Sequence, residues 1–198
     1  DIYLGLEKDI RNIRERNVAL ELLLFGGIII IAFYHLGLFI LRRIDLFTIY
    51  FSLFCFAMSV KTIVSNEKSI TIIFPDLSWT YLYKMIDGSF YLATTFFIMY
   101  IQKLFSGEFK KPILMVYKVL GFLFIFILIF LDNQYACYLA PVFQVFLLLA
   151  CCYVIFVLLL AFINKREGAG IFLLGFTILA ATVVNDVLYY FGVFESFM

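Results

Sequence analysis

Apolar residues fill the chain in six long blocks, and within each block no helical face and no alternate position is reserved for polar side chains. Each block approaches the roughly 20 residues that an α-helix needs to cross the hydrocarbon core of a bilayer. A transmembrane β-barrel would alternate polar and apolar positions instead. The pattern predicts spans from Ala19 to Leu41, Ile44 to Val64, Trp79 to Phe105, Pro112 to Leu131, Tyr135 to Ile163 and Gly168 to Val193. The connections are short, so consecutive helices are expected to be antiparallel neighbours. The longest, SNEKSITIIFPDLS, joins the second and third spans, and its Pro75 argues against an unbroken helix there. Pro112 suits a first helical turn. Pro141, inside the fifth span, predicts a kink or an interfacial turn that leads into the span.

Composition sharpens this into a class. The chain is 65% hydrophobic and only 15% charged, with mean hydropathy +1.07, whereas a soluble domain is about half apolar and a quarter charged. An all-α, polytopic membrane helical bundle follows, with the lipid bilayer as its first partner. A net charge of +1 gives no electrostatic case for nucleic acid. Cys55, Cys137, Cys151 and Cys152 suggest no disulfide framework, and buried free thiols are the default for them. The chain opens on Asp1 rather than Met and stops at Met198, so it reads as an excerpt of something longer.

Residues 1–18 differ from the rest. After DIYLG, a short β-like scrap, comes EKDIRNIRERN, dense in both signs of charge. Ile10, Ile13 and Asn17 recur at helical spacing, so a solvated juxtamembrane helix running into the first span is expected. Mixed charge on a helix is more often a wet face than a ligand site. The loop charges then give an orientation. Arg42 and Arg43, then Lys103, Lys110 and Lys111, then Lys165 and Arg166 fall on one side, and the opposite loops carry Lys68 alone. The basic side is expected in the cytoplasm and the amino terminus outside. Lys8, Arg11, Arg14 and Arg16 oppose that assignment unless a folded external domain precedes them and overrides their charge.

Charge inside the spans is rare and therefore informative. Lys61, Lys84, Asp87, Asn185 and Asp186 all fall within a few turns of the same membrane face, and Glu21 starts the first span on that face. A lone charge in the bilayer costs several kcal/mol, so such groups pair or face a wet cavity. Lys84 and Asp87, three apart, share one helical face, which leaves Lys61 as the expected partner of Asp186. Asn185 continues the Thr177–Ala181 stripe and Asp186 follows Thr182, so this face of the sixth span is expected to turn inward. These groups serve either as interhelical glue or as a functional cluster. Lys118, near the opposite end of its span, is expected to snorkel, and Trp79, Tyr81 and Tyr83 to form an interfacial belt. His35, the single histidine, builds no metal cluster and is expected to be a hydrogen-bonded packing residue. No Gly-rich phosphate loop and no nucleophile–base set occurs in the sequence, so neither catalysis nor a cofactor is expected of this segment.

Several stretches together resemble one family. AFYHLGLFILRRIDLFTIYFSLF, residues 32–54, preceded by Gly26, looks like the bacterial seven-transmembrane receptors with diverse intracellular signalling modules (7TMR-DISM). Tyr34, Arg42, Arg43 and Tyr50 match the family pattern, and His35 replaces its usual Asn. REGAGIFLLGFTILAATVVNDVLYYFGVF, residues 166–194, resembles the sixth helix, with Arg166, Gly175, Asn185 and Asp186 in place. IYLG, near the start, resembles the last strand of the external β-rich sensor that often lies upstream. The resemblance implies a seventh helix after the six visible ones. It also implies a linker and sensor end at 1–18, a receptor bundle at 19–198, and a cytoplasmic effector of histidine kinase, diguanylate cyclase or phosphatase type in the same chain. A bacterial plasma membrane and a two-component or similar sensor role come with it, and a homodimer is compatible with it. The reading from another class is a small transporter or channel with its substrate site in the polar cluster.

Overall fold

The computed structural model describes residues 7–42, 46–65 and 67–190, and among these every regular element is helical. Six long helices are joined in chain order: α1 Glu7–Arg42, α2 Leu46–Val64, α4 Trp79–Leu104, α5 Lys111–Phe130, α6 Asn133–Ile163 and α7 Ala169–Tyr190. A one-turn helix, α3 Ile70–Ile73, lies between α2 and α4. All the long helices except α4 are long and apolar enough to cross a membrane by length and composition. Helix α4 has the length, at 26 residues, but carries Lys84, Asp87 and Lys103. The expected polytopic helical bundle is therefore what the chain forms. The charged stub at its amino end is continuous with the first span in a single helix of 36 residues.

The chain divides between Phe97 and Ile98 into two compact units. In the first, α1 and α2 run antiparallel, as their contacts show. The Asn17 amide donates to Glu67 Oε1 at 3.2 Å, the Ser52 hydroxyl donates to the Ala32 carbonyl at 2.8 Å, and the Phe33 and Phe56 rings meet edge to face at 5.1 Å. Ile63, Val64 and Leu82 form a buried knot, with Phe25, Ile70, Leu77, Met85 and Ile86 packed around it. Hydroxyls within the helices turn back on their own backbone, Thr62 to Met58 and Thr95 to Tyr91, which satisfies them where no water is present. The α2–α4 connection breaks where Pro75 predicts. Phe74, before the proline, leaves the helical region at φ −125° and ψ 81° and ends α3.

In the second unit, α6 buries Ala136, Phe143, Leu147, Ala150, Val154, Val157 and Ala161. These recur at alternating three- and four-residue steps, the seam that left-handed helix packing requires. Phe124 of α5 lies 5.3 Å from Phe143 and 5.5 Å from Phe146, ring centre to ring centre. Helix α6 runs unbroken through Pro141, so the expected alternative of a separate interfacial turn does not occur. Helix α7 buries Ala169, Phe176, Ala180 and Val187. Thr177, Ala181, Thr182 and Asp186 are exposed and Asn185 is half-buried, contrary to the expectation that their face turns inward. Small and polar residues at four-residue spacing mark a face where a helix could approach. The neighbouring helices decide which face is used, and the face of α7 that is buried carries Phe176 and Ala180.

Candidate functional site

Lys61, on the last turn of α2, stands over the Phe90 ring of α4 with its ammonium 4.0 Å from the ring centre. It also acts electrostatically on Asp87, which accepts a hydrogen bond from the Tyr83 hydroxyl. The other carboxylate oxygen of Asp87 is buried with no hydrogen-bond partner. The structure thus brings Lys61 and Asp87 together, with Tyr83 turned to the acid rather than standing in an interfacial belt. Trp79 and Tyr81 are exposed as that belt requires. Lys84 is half-buried on the same helix. Asn185 and Asp186 lie in the second unit, and the Lys61–Asp186 pairing is a proposal that the geometry of either unit leaves as it was.

Glu21, which the sequence places at the start of the first span without a partner, is buried. It is 5% exposed, on the side of α1 that faces α2, and neither of its carboxylate oxygens has a hydrogen-bond partner. One and two turns above it, Asn17 and Arg14 reach Glu67, the latter at 3.9 Å. One turn below it, Phe25 enters the Ile63–Val64–Leu82 knot. Glu21 therefore sits under the α2–α4 connection, where Ser69 is also buried with an unbonded hydroxyl. The cation of that connection points elsewhere. Lys68, at φ 53°, lays its ammonium 3.7 Å from the Trp79 ring centre. The signal that could have marked Glu21 is its four-residue spacing from Asn17 and Phe25, which places all three on the α2-facing side.

A second polar constellation ties two loops of the second unit. Glu108, 10% exposed in its side chain, accepts the Asn164 amide at 2.9 Å and the Arg166 Nε at 3.4 Å. Arg166 also lies close over Gly107, where a Cβ would come 2.9 Å from its Nη2. The backbone N–H of Lys110 donates to the Tyr153 hydroxyl at 3.2 Å, and Tyr153 stacks on Tyr117 at 5.6 Å. Lys165 and Gly168 turn the chain between α6 and α7 with φ 54° and 76°. Arg166, picked out as a motif position, thus acquires a partner, while Glu108, Asn164 and Tyr153 carry no sequence signal.

The other motif positions are more scattered. His35 packs edge to face on Phe51 at 4.6 Å and on Tyr34 at 5.4 Å. Its Nδ1 is buried with no hydrogen-bond partner, so packing is present and the expected hydrogen bond at that nitrogen is not. Tyr34 and Arg42 are exposed, Tyr50 is half-buried, and Arg43 lies outside the described residues, as do the DIYLG stretch and the end of the sixth span. A side chain at Gly26 or Gly175 would meet nothing within 4 Å. Cys55 and Cys151 are buried thiols, whereas Cys152 is exposed against expectation. Among the described residues no group of three or more His, Cys, Asp or Glu side chains could hold a metal ion.

The arrangement is one of buried charges, loop ties and helix seams. No curated protein and no solved structure matches the chain. The family model for 7TM diverse intracellular signalling matches residues 17–198. A multi-pass helical chain matched over nearly its whole length in this way belongs to the 7TM diverse intracellular signalling family, as its transmembrane domain.

Proposed function

We propose that this bundle relays an external event, received by a sensor domain on its amino-terminal side, to a cytoplasmic output domain of histidine kinase, diguanylate cyclase or phosphatase type. Membership of the family makes the chain the membrane module of a signalling receptor. The observation that carries the relay reading is α1. At about 1.5 Å per residue its 36 residues extend about 54 Å, against about 30 Å of hydrocarbon. An unbroken rod therefore runs from the stub through the span. Beside the stub, Arg14 and Asn17 hold Glu67 of the α2–α4 connection, so a shift of the stub acts on two helices at once. The asymmetry of the basic loops supports an amino terminus outside the plasma membrane. The work done is conformational: the signal needs a difference in affinity for two packings of the bundle, and the segment itself turns over no substrate.

The test is helical phase. Insertion of one to four alanines after Asn12 in the full-length receptor turns the stub by about 100° per residue relative to the span. Output activity should rise and fall with that rotation, and three glycines at the same place should uncouple it. Output that is indifferent to both series would remove α1 as the relay.

A further inference from the structure

We propose that Glu21 binds a monovalent alkali cation in the layer between α1 and the α2–α4 connection, with the Ser69 hydroxyl as a further oxygen ligand. Contacts on both sides fix that layer. One turn before Glu21, the Asn17 amide donates to Glu67 Oε1 at 3.2 Å. One turn after it, Phe25 packs against the Ile63–Val64–Leu82 knot, and Ile70 packs against the same knot. Glu21 is therefore level with residues 67–70, and Ser69 lies between the two anchors of that stretch. The stretch is itself held in place. The Lys68 N–H donates to the Ser65 carbonyl at 2.8 Å, and the Thr71 N–H and hydroxyl donate to the Lys68 carbonyl at 2.8 and 2.9 Å. Glu21 and Ser69 are 5% and 2% exposed, and none of their three side-chain oxygens has a hydrogen-bond partner.

Buried polar atoms in folded proteins have partners, so three oxygens sealed from water in one layer point to a ligand. The end of α2 adds negative potential there. The helix stops at Val64, within the knot, so its dipole presents its negative end and the carbonyls of its last turn face the connection. The cations of the neighbourhood are engaged elsewhere: Lys68 lies over Trp79, Lys61 over Phe90, and Arg14 is drawn to Glu67. A proton on the carboxyl would cancel its charge but leave the O–H without an acceptor. A water molecule would satisfy the oxygens and leave the charge. A metal cation does both. Oxygen donors alone select a hard ion. Glu67 is already shared by Arg14 and Asn17, so one uncommitted carboxylate remains. A single charge balances it, whereas a divalent ion would exchange one unpaired buried charge for another.

The experiment uses the full-length receptor in nanodiscs at constant ionic strength, with sodium exchanged for N-methyl-D-glucamine, a cation too large for the layer. Sodium raised from about 1 to about 300 mM should lift the thermal midpoint by several degrees, as a ligand of the folded state alone does. Glu21→Gln should abolish the rise, and Ser69→Ala should move it to about tenfold higher sodium. Glu15→Gln, on the exposed side of the same helix, should leave it unchanged. Glu21→Leu removes the charge that needs a counter-ion, so it should ignore sodium and melt above the wild type in sodium-free buffer. A measurement on the wild type stands beside the variants: sodium should slow modification of Glu21 by an apolar carbodiimide at least fivefold, read by peptide mass spectrometry. A wild type indifferent to sodium in both assays, or an undiminished rise in Glu21→Gln, would overturn the site. Stabilisation by acid alone that Glu21→Gln removes would overturn the metal in favour of a proton. Saturation by micromolar calcium would overturn the single charge.

Discussion

The Lys61 ammonium stands 4.0 Å from the centre of the Phe90 ring, and the same cation acts on Asp87 one turn earlier on α4. A single lysine on α2 thus serves both an aromatic face and a buried acid. Lys61→Ala and Asp87→Ala should each destabilise the bundle, and the double variant should cost less than their sum by about 1–2 kcal/mol, since charges within one network couple on that scale. Phe90→Leu should cost about 0.5–2 kcal/mol beyond its packing loss, the range for an ammonium over a ring. Denaturation in a defined detergent measures both. The same cycle on Lys61 and Asp186 tests the pairing proposed from sequence: additivity there would remove it.

Glu21 offers the reverse sign. Its carboxylate is buried with no hydrogen bond to either oxygen. Replacing a buried ionic group by a well-packed apolar one stabilises by about 1–4 kcal/mol in favourable cases. Glu21→Leu is therefore expected to raise the thermal midpoint of the purified domain. A drop would show that the carboxylate is stabilised by a partner within the folded domain.

At the loop tie, exposure ranks the partners. Arg166 is 59% exposed in its side chain, so its ion pair with Glu108 is worth about 0–1 kcal/mol. The 2.9 Å bond from Asn164 to the same half-buried carboxylate is charge-assisted and worth about 1.5–3 kcal/mol. Loss of stability should therefore increase from Arg166→Ala to Asn164→Ala. Gly107→Ala should cost no more than Arg166→Ala, because the atom that its Cβ would strike is the far end of a flexible guanidinium. Urea titration of the three variants gives the order, and a dominant Arg166 would contradict it.

Lys165 adopts φ 54°, the left-handed region that a side chain disfavours, just after α6 ends at Ile163. Lys165→Gly should add about 0.5–1 kcal/mol through the release of that strain. No gain would mean that the lysine stem earns its place by packing.

Much of this molecule was legible in its hydropathy alone. In a bilayer every backbone polar group must be satisfied within the segment, so six apolar blocks of helical length imply helices. The match over residues 17–198 agrees with the family read from Tyr34, Arg42 and the 166–194 stretch. Pro75 ended a helix where its missing N–H predicts, because that constraint is local. Partner choice between helices is not local, and there the sequence offered alternatives that it could not rank. Lys84 and Asp87 share a face at three-residue spacing, yet the acid also feels Lys61 of α2, because packing of Leu82 against Ile63 and Val64 brings the two helices side by side. Thr177 and Asp186 looked inward-facing, yet α7 buries Phe176 and Ala180, since the complementary surface belongs to another helix. Glu108 and Asn164 stand 56 residues apart in loops without a motif, and only the antiparallel return of the chain brings them to 2.9 Å. Hydrophobic length fixes what a segment becomes, while side-chain shape across a helix interface fixes what it touches.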